Sequence, residues 1–272
     1  VSDSGVENKK ASGLFSLPNE DPRKIVAVAL TLCLVCSVAV SSAAVLLRPL
    51  QERNKELALK SEILKVAGLY QPDVPVEEAF SQIETRIVDL STGEYAEGID
   101  PETFDQRAAA RDPALSVAVA PEQDIASIKR RSDYAPVYLV RENGALELIV
   151  LPVHGYGLWS TMYGLVALEA DARTIAGLTF YEQAETAGLG AEVSNPKWLA
   201  QWQGKLAVDE QGTPEIRVIK GSVPPNDPQA RYEVDGLAGA TLTSNGVTHL
   251  MRFWLGKEGF GPYLQRIRER GA

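Results

Sequence analysis

Residues Ile25 to Leu47 are 23 consecutive positions with no charge and no proline. As an α-helix this run is roughly 34 Å long, enough to cross the roughly 30 Å hydrocarbon core of a bilayer. Its polar side chains, Thr31, Ser37, Ser41 and Ser42, can bond back to their own helix. A cleaved secretory signal has a shorter apolar run of about 7–15 residues. Small residues at Ser42 and Ala44 resemble a cleavage site, but the length favours a permanent single-pass anchor in membrane lipid. Lys9, Lys10, Arg23 and Lys24 precede it and Arg48, Arg53, Lys55 and Lys60 follow, so the positive-inside rule is nearly a tie. The basic pair touching the N-terminal end places residues 1–24 in the cytoplasm and the large domain outside. Cys33 and Cys36 lie within the run, on one helix face. Two thiols do not complete a four-ligand metal site, and the simpler reading is small apolar residues in lipid.

The formal net charge is −9, and the charges of residues 1–24 cancel. The acidic excess therefore belongs to the part beyond the anchor, which disfavours nucleic acid and anionic lipid surfaces as partners. His154 and His249 sit in no metal-ligand spacing, and His249 reads as structural. No G-x-S-x-G elbow and no P-loop occur, and the Gly188-Leu189-Gly190 triplet lacks the third glycine of a dinucleotide fingerprint. Glu182 and Glu185 read as solvated residues at a strand end rather than a general acid and base.

Beyond the anchor, Leu50, Leu57 and Leu64 repeat at seven residues with Ile63 beside them, predicting a stalk helix that ends at Gly68. Ala79, Phe80, Ile83 and Ile87 share a helical face, predicting a helix over 76–88. Residues 91–113 read as loop with a short helix, and 121–131 as another short helix. Strands begin at Val137: two apolar runs joined by Asn143-Gly144 signal a hairpin. A second pair, 161–170 and 174–183, is joined by Asp171-Ala172-Arg173. Asn195-Pro196 starts a short helix with Trp198 and Trp202. A further strand is expected at 215–220 and helices near 244–255 and 262–270. This is an α+β layout, a meander sheet with packed helices, divided as anchor 25–47, helical stalk and connection 48–135, and main domain 136–272.

The run DGLAGATLTSNGVTHLMRFWLG, residues 235–256, carries the chemistry. Val247, Leu250, Met251, Trp254 and Leu255 make one face of an amphipathic helix that Gly256 closes. Before it, small residues from Gly236 to Ala240 lead into Thr241, Leu242, Thr243 and Ser244. Hydroxyls and free backbone N–H groups at a helix start suit a phosphate. On pattern alone, ordinary capping by Thr243 or Ser244 is the simpler reading.

The run also resembles the flavinylation motif Asp-x-x-(Ser/Thr)-Gly-Ala-Thr, in which FMN is joined to threonine by a phosphoester. Asp235, Gly239, Ala240 and Thr241 match, and Ala238 replaces the usual Ser or Thr. Three further stretches agree: GYGLWSTMYG at 155–164, ETAGLG at 185–190 (Ala187 standing where the family has proline) and FWLGKEGFGPYL at 253–264. With them the chain resembles the NqrC family, the C subunits of bacterial Na+-translocating NADH:quinone reductases. The G subunit of the Rnf complex is a sister family with the same motif. The resemblance implies an FMN-binding domain carrying covalent FMN on Thr241, with no catalytic side chain and no metal of its own. It implies a relay of electrons between an iron–sulfur centre and a second covalent flavin in the neighbouring B subunit. It also implies partners in the A, B, D, E and F subunits, and attachment by a separate Mg2+-dependent flavin transferase. Guided by the family, Gly155, Gly157, Gly188 and Gly190 bring backbone close to the flavin ring. Leu158, Trp159 and Leu189 pack on it, Ser160 and Thr186 bond its polar edge, and Asp235, Leu242 and Thr243 complete the site.

Overall fold

The structure is a computed structural model describing residues 18–271. The basic pair Lys9 and Lys10 thus lies outside the described residues. Helix α1 (Pro22–Val66) runs unbroken through the apolar segment and through Pro49. The side chains of its apolar window are exposed in the chain alone, as an anchor requires. The described residues divide into two units within α1, between Glu56 and Leu57.

In the second unit α1 ends where the repeat predicted: Gly68 adopts φ 72° and the Leu69 N–H donates to the Leu64 carbonyl at 2.8 Å. This backbone reversal is one that glycine takes at little cost. The helix predicted over 76–88 stops early. α2 (Val76–Phe80) is followed at once by β1 (Ile83–Asp89), whose Ile83 and Ile87 face Val140 and Pro136 of the strand that pairs with it. A four-residue spacing satisfies both the helical and the two-residue strand period, and the β-branched Ile83, Thr85, Ile87 and Val88 tip the choice to extended backbone. The helix expected at 121–131 also fails. The Asp124 carboxylate accepts the N–H groups of Ile128 and Lys129, each at 2.8 Å. Ser127 and Lys129 hold φ of 55° and 65°, outside helical space. The segment ends in β3 (Arg130–Ser132), paired with β2 (Ser116–Ala118), while α3 (Gln106–Ala109) supplies the short helix of the preceding stretch.

The main sheet is antiparallel in the order β1, β4 (Tyr134–Glu142), β5 (Ala145–Tyr156), β6 (Thr161–Glu169), β7 (Ile175–Glu182). Asn143 and Gly144 make the hairpin turn with φ of 52° and 83°, the positive pair whose twist matches the strands. Alternation along β4 and β5 sends Tyr138, Val140 and Val150 to one face, with Ile63 and Leu64 of α1. The other face takes Val137, Leu139, Ile149 and Leu151, under the helices that follow. Those are α4 (Pro196–Leu199), α5 (Thr241–Leu255) and α6 (Gly261–Arg270). Val247, Leu250, Met251, Trp254 and Leu255 of α5 are all fully buried, so the amphipathic reading of that helix holds. The strand expected at 215–220 shrinks to β8 (Arg217–Val218), parallel to β9 (Glu233–Val234).

His154 of β5 sits between Tyr163 and Trp254, ring centroids 5.3 and 4.7 Å away. Burial first, and then the nearby Arg107 guanidinium, push its pKa down to about 4 from the ordinary 6.5. The unfolded chain therefore takes up a proton that the folded chain refuses. Stability present above pH 6.5 is lost as pH falls toward 4, by at most about 1.4 kcal/mol per pH unit. We expect His154→Phe to flatten this slope in urea denaturation at a series of pH values. An unchanged slope would move its origin to another group.

Candidate functional site

Three segments meet at one end of the sheet: the turn 157–160 joining β5 to β6, the loop 183–190 after β7, and the start of α5. Glu185 ties them together. Its carboxylate accepts the N–H groups of Leu158 at 3.2 Å, Trp159 at 3.0 Å and Ser160 at 3.1 Å. It also accepts the Ser160 hydroxyl at 3.3 Å and the Thr243 hydroxyl at 2.8 Å. The residue is only 8% exposed. Burial alone would raise its pKa, but the bonds from Trp159, Thr243, Leu158 and Ser160 outweigh that and hold it below the ordinary carboxylate value. The expectation of a solvated Glu185 is thus corrected, whereas Glu182 is exposed and pairs with Arg107 at 2.8 Å. The signal for Glu185 lay in the other segment. A tight turn such as 157–160 presents several N–H groups without strand partners, and a buried carboxylate is the side chain that can accept them all.

Close packing leaves no room for side chains at several glycines, Gly190 and Gly246 among them. A Cβ on Gly190 would lie 2.6 Å from the Thr243 hydroxyl oxygen, and one on Gly246 2.6 Å from the Tyr156 carbonyl oxygen. Gly155 has a different use from the one expected. It is buried in β5, where a Cβ would meet Leu250 at 2.6 Å, so it lets the strand approach α5.

Helix α5 begins at Thr241 with Ala240 as N-cap and no side-chain cap. The hydroxyls expected to cap it are used elsewhere. Thr243 donates to Glu185, and Ser244 accepts the Leu237 N–H at 3.1 Å. The first-turn N–H groups of Thr241, Leu242 and Thr243 consequently have no protein acceptor among the described residues. Thr241 and Leu242 are exposed. Gly239 turns the chain into the helix with φ 71°, and the Leu189 side chain packs against it. Around this helix start stand exposed apolar side chains: Leu158, Trp159, Leu189 and Leu242, with Trp159 66% exposed. A cluster of this kind beside an uncapped helix start marks a surface that something covers. Thr186 and Gly188 are exposed in the same loop. The Ser160 hydroxyl, by contrast, is taken up by Glu185 and by the Ala184 N–H at 2.9 Å. The Asp235 carboxylate accepts the Val223 N–H at 2.7 Å, so it braces the turn preceding α5 rather than offering a free charge.

The family described as FMN-binding domain matches residues 157–256, from the β5–β6 turn to the glycine that closes α5. The C subunit of the Na+-translocating NADH-quinone reductase from Pseudomonas aeruginosa is 49% identical over 93% of this chain and 98% of its own length. Its counterpart from Yersinia pestis is likewise 49% identical, over 92% and 95%. The chain belongs to the NqrC family of Na+-translocating NADH-quinone reductase subunits. The crystal structure of Shewanella oneidensis NqrC superposes with a TM-score of 0.71 at 37% identity, covering 78% of this chain and 96% of that one. The two chains thus share this fold. Among the described residues no three His, Cys, Asp or Glu side chains are grouped to hold a metal, and the exposed Cys33 and Cys36 stand without further ligands.

Proposed function

We propose that Thr241 carries FMN through a phosphoester of its hydroxyl. In this reading the chain relays electrons between an iron–sulfur centre and the covalent flavin of the neighbouring B subunit, within an NADH:ubiquinone reductase that exports Na+. The single observation that carries the attachment is an exposed threonine hydroxyl opening an uncapped helix. Three unpaired N–H groups and the positive end of the helix dipole are there to receive a phosphate. The exposed Leu158, Trp159, Leu189 and Leu242 provide apolar contact for a planar ring on the same surface, so the residues present fit the group.

When bound, the flavin supplies the redox chemistry. The chain's own residues position and shield. The Thr241 hydroxyl is the tether and needs no base within this chain, since a separate flavin transferase performs the attachment. Leu158, Trp159 and Leu189 exclude water from one side. Glu185 holds the turn and loop that bear them, acting as a positioning residue through the backbone rather than on the cofactor. The two departures from the family motifs are compatible with this, because Ala238 and Ala187 are both exposed and no core contact depends on them. The apolar helix α1 anchors the chain in the bacterial inner membrane, with the domain on the periplasmic side.

The reading is tested by the mass of the intact chain purified from its assembled complex. We expect an FMN-sized increment that maps, after digestion, to the peptide containing Thr241. An unmodified chain in an active complex defeats it.

A further inference from the structure

From Leu57 onward the chain holds 30 Asp and Glu against 20 Lys and Arg. Yet one cleft there is lined by four cations and no carboxylate. It measures about 860 Å³ and is walled by Arg107, Arg111, Lys129, Arg130, His154 and Tyr156, among others. Arg107 is already committed, pairing with Glu182 and lying 3.4 Å over the Tyr163 ring. The other three keep their charge uncompensated. Arg130 donates to the Ser116 carbonyl at 2.8 Å and to its hydroxyl, both neutral acceptors. Arg111 donates its Nε to the Arg107 carbonyl at 3.1 Å. Among the described residues neither these two nor Lys129 forms an ion pair. The loop that presents Lys129 is held in place, its N–H bound by Asp124 and its φ fixed at 65°.

We propose that this cleft receives an acidic segment of another protein of the complex, which thereby docks beside the apolar loop of the flavin site. The inference rests on the reading of the chain as one member of an assembly. Charge complementarity selects an acidic occupant: a positive pocket in a negative domain focuses the field on incoming carboxylates. Continuity with the apolar patch selects a protein over a small anion. Tyr156 lines the cleft while its hydroxyl donates to the Trp159 carbonyl at 3.3 Å. Arginines and tyrosine thus adjoin exposed Leu158 and Trp159, the mixture that protein interfaces favour. A second copy of this chain is a poor occupant, because two strongly acidic domains repel.

Zero-length carbodiimide coupling of the purified complex tests this, since it joins an amine only to a carboxylate already at ion-pair distance. We expect Lys129 to be joined by an amide to an Asp or Glu of a different polypeptide of the complex, with loss of water. Lys129→Arg should abolish that link while leaving the complex intact. Arg111→Glu combined with Lys129→Glu should weaken retention of this chain on the complex about tenfold at low salt, the difference from the unaltered chain shrinking as salt rises. Flavin fluorescence of the chain on a denaturing gel should stay unchanged. Lys129 uncoupled, coupled to a peptide of this same chain, or dispensable for retention under charge reversal would overturn the proposal. So would stabilisation of the chain by inorganic phosphate without any cross-link, which marks a small-anion site. Loss of covalent flavin from the unaltered chain would instead strike at the attachment to Thr241, leaving the cross-link result to stand by itself.

Discussion

We expect Thr241→Ala to abolish denaturation-resistant flavin fluorescence while the chain still folds. The side chain is exposed at the first position of α5 and makes no hydrogen bond that the fold depends on. Alanine is the better helix former, so the change in stability stays within about 0.5 kcal/mol. The effect on attachment is all-or-none because a phosphoester needs the hydroxyl oxygen. The neighbouring hydroxyls are no substitute: Thr243 and Ser244 are buried and engaged with Glu185 and the Leu237 N–H. Thr243→Ala should accordingly keep the flavin. A fluorescent band surviving in Thr241→Ala, on a gel of protein co-expressed with its transferase, would place the acceptor elsewhere.

The second large effect belongs to Glu185. Glu185→Ala leaves the N–H groups of Leu158, Trp159 and Ser160 and the Thr243 hydroxyl without their shared acceptor. Unsatisfied groups of this kind, partly relieved by entering water, cost roughly 2–4 kcal/mol in total. For a domain of this size that lowers the midpoint of thermal unfolding by about 5–15 °C. The loss also frees the 157–160 turn from the 183–190 loop, so the extent of flavin attachment falls even at temperatures where the chain is folded. Glu185→Gln keeps one acceptor oxygen and should lie between the two. Calorimetry and gel fluorescence on the three proteins decide this. Equal midpoints for Glu185→Ala and the unaltered chain would reduce Glu185 to a bystander.

Both effects trace to one division of labour. On the proposed attachment, Thr241 would supply the reactive group and need only exposure, whereas Glu185 would supply no chemistry and need every neighbour in place. The cationic cleft repeats that pattern. Arg107 and Arg111 come from a short helix and the turn after it, Lys129 and Arg130 from an irregular loop and the strand it enters, and Tyr156 from a strand of the main sheet.

What the amino-acid sequence determined by itself was local. An uncharged apolar run of 23 residues is a helix whatever follows it, because each backbone group is satisfied within the segment. Asn143-Gly144 makes a tight hairpin because both positions tolerate positive φ. The period of α5 and the small residues before Thr241 were likewise legible, and so was the family. Tertiary structure decided the rest. Ile83 and Ile87 fit two periods, and only pairing with β4 made them a strand. Residues 121–131 read as a short helix, and the Asp124 side chain folds them otherwise. Glu185 looked like a solvated carboxylate because its five donors lie 25 to 58 residues away along the chain. A side chain's protonation and purpose depend on what surrounds it in space, and those neighbours are brought together only when the sheet and α5 have packed.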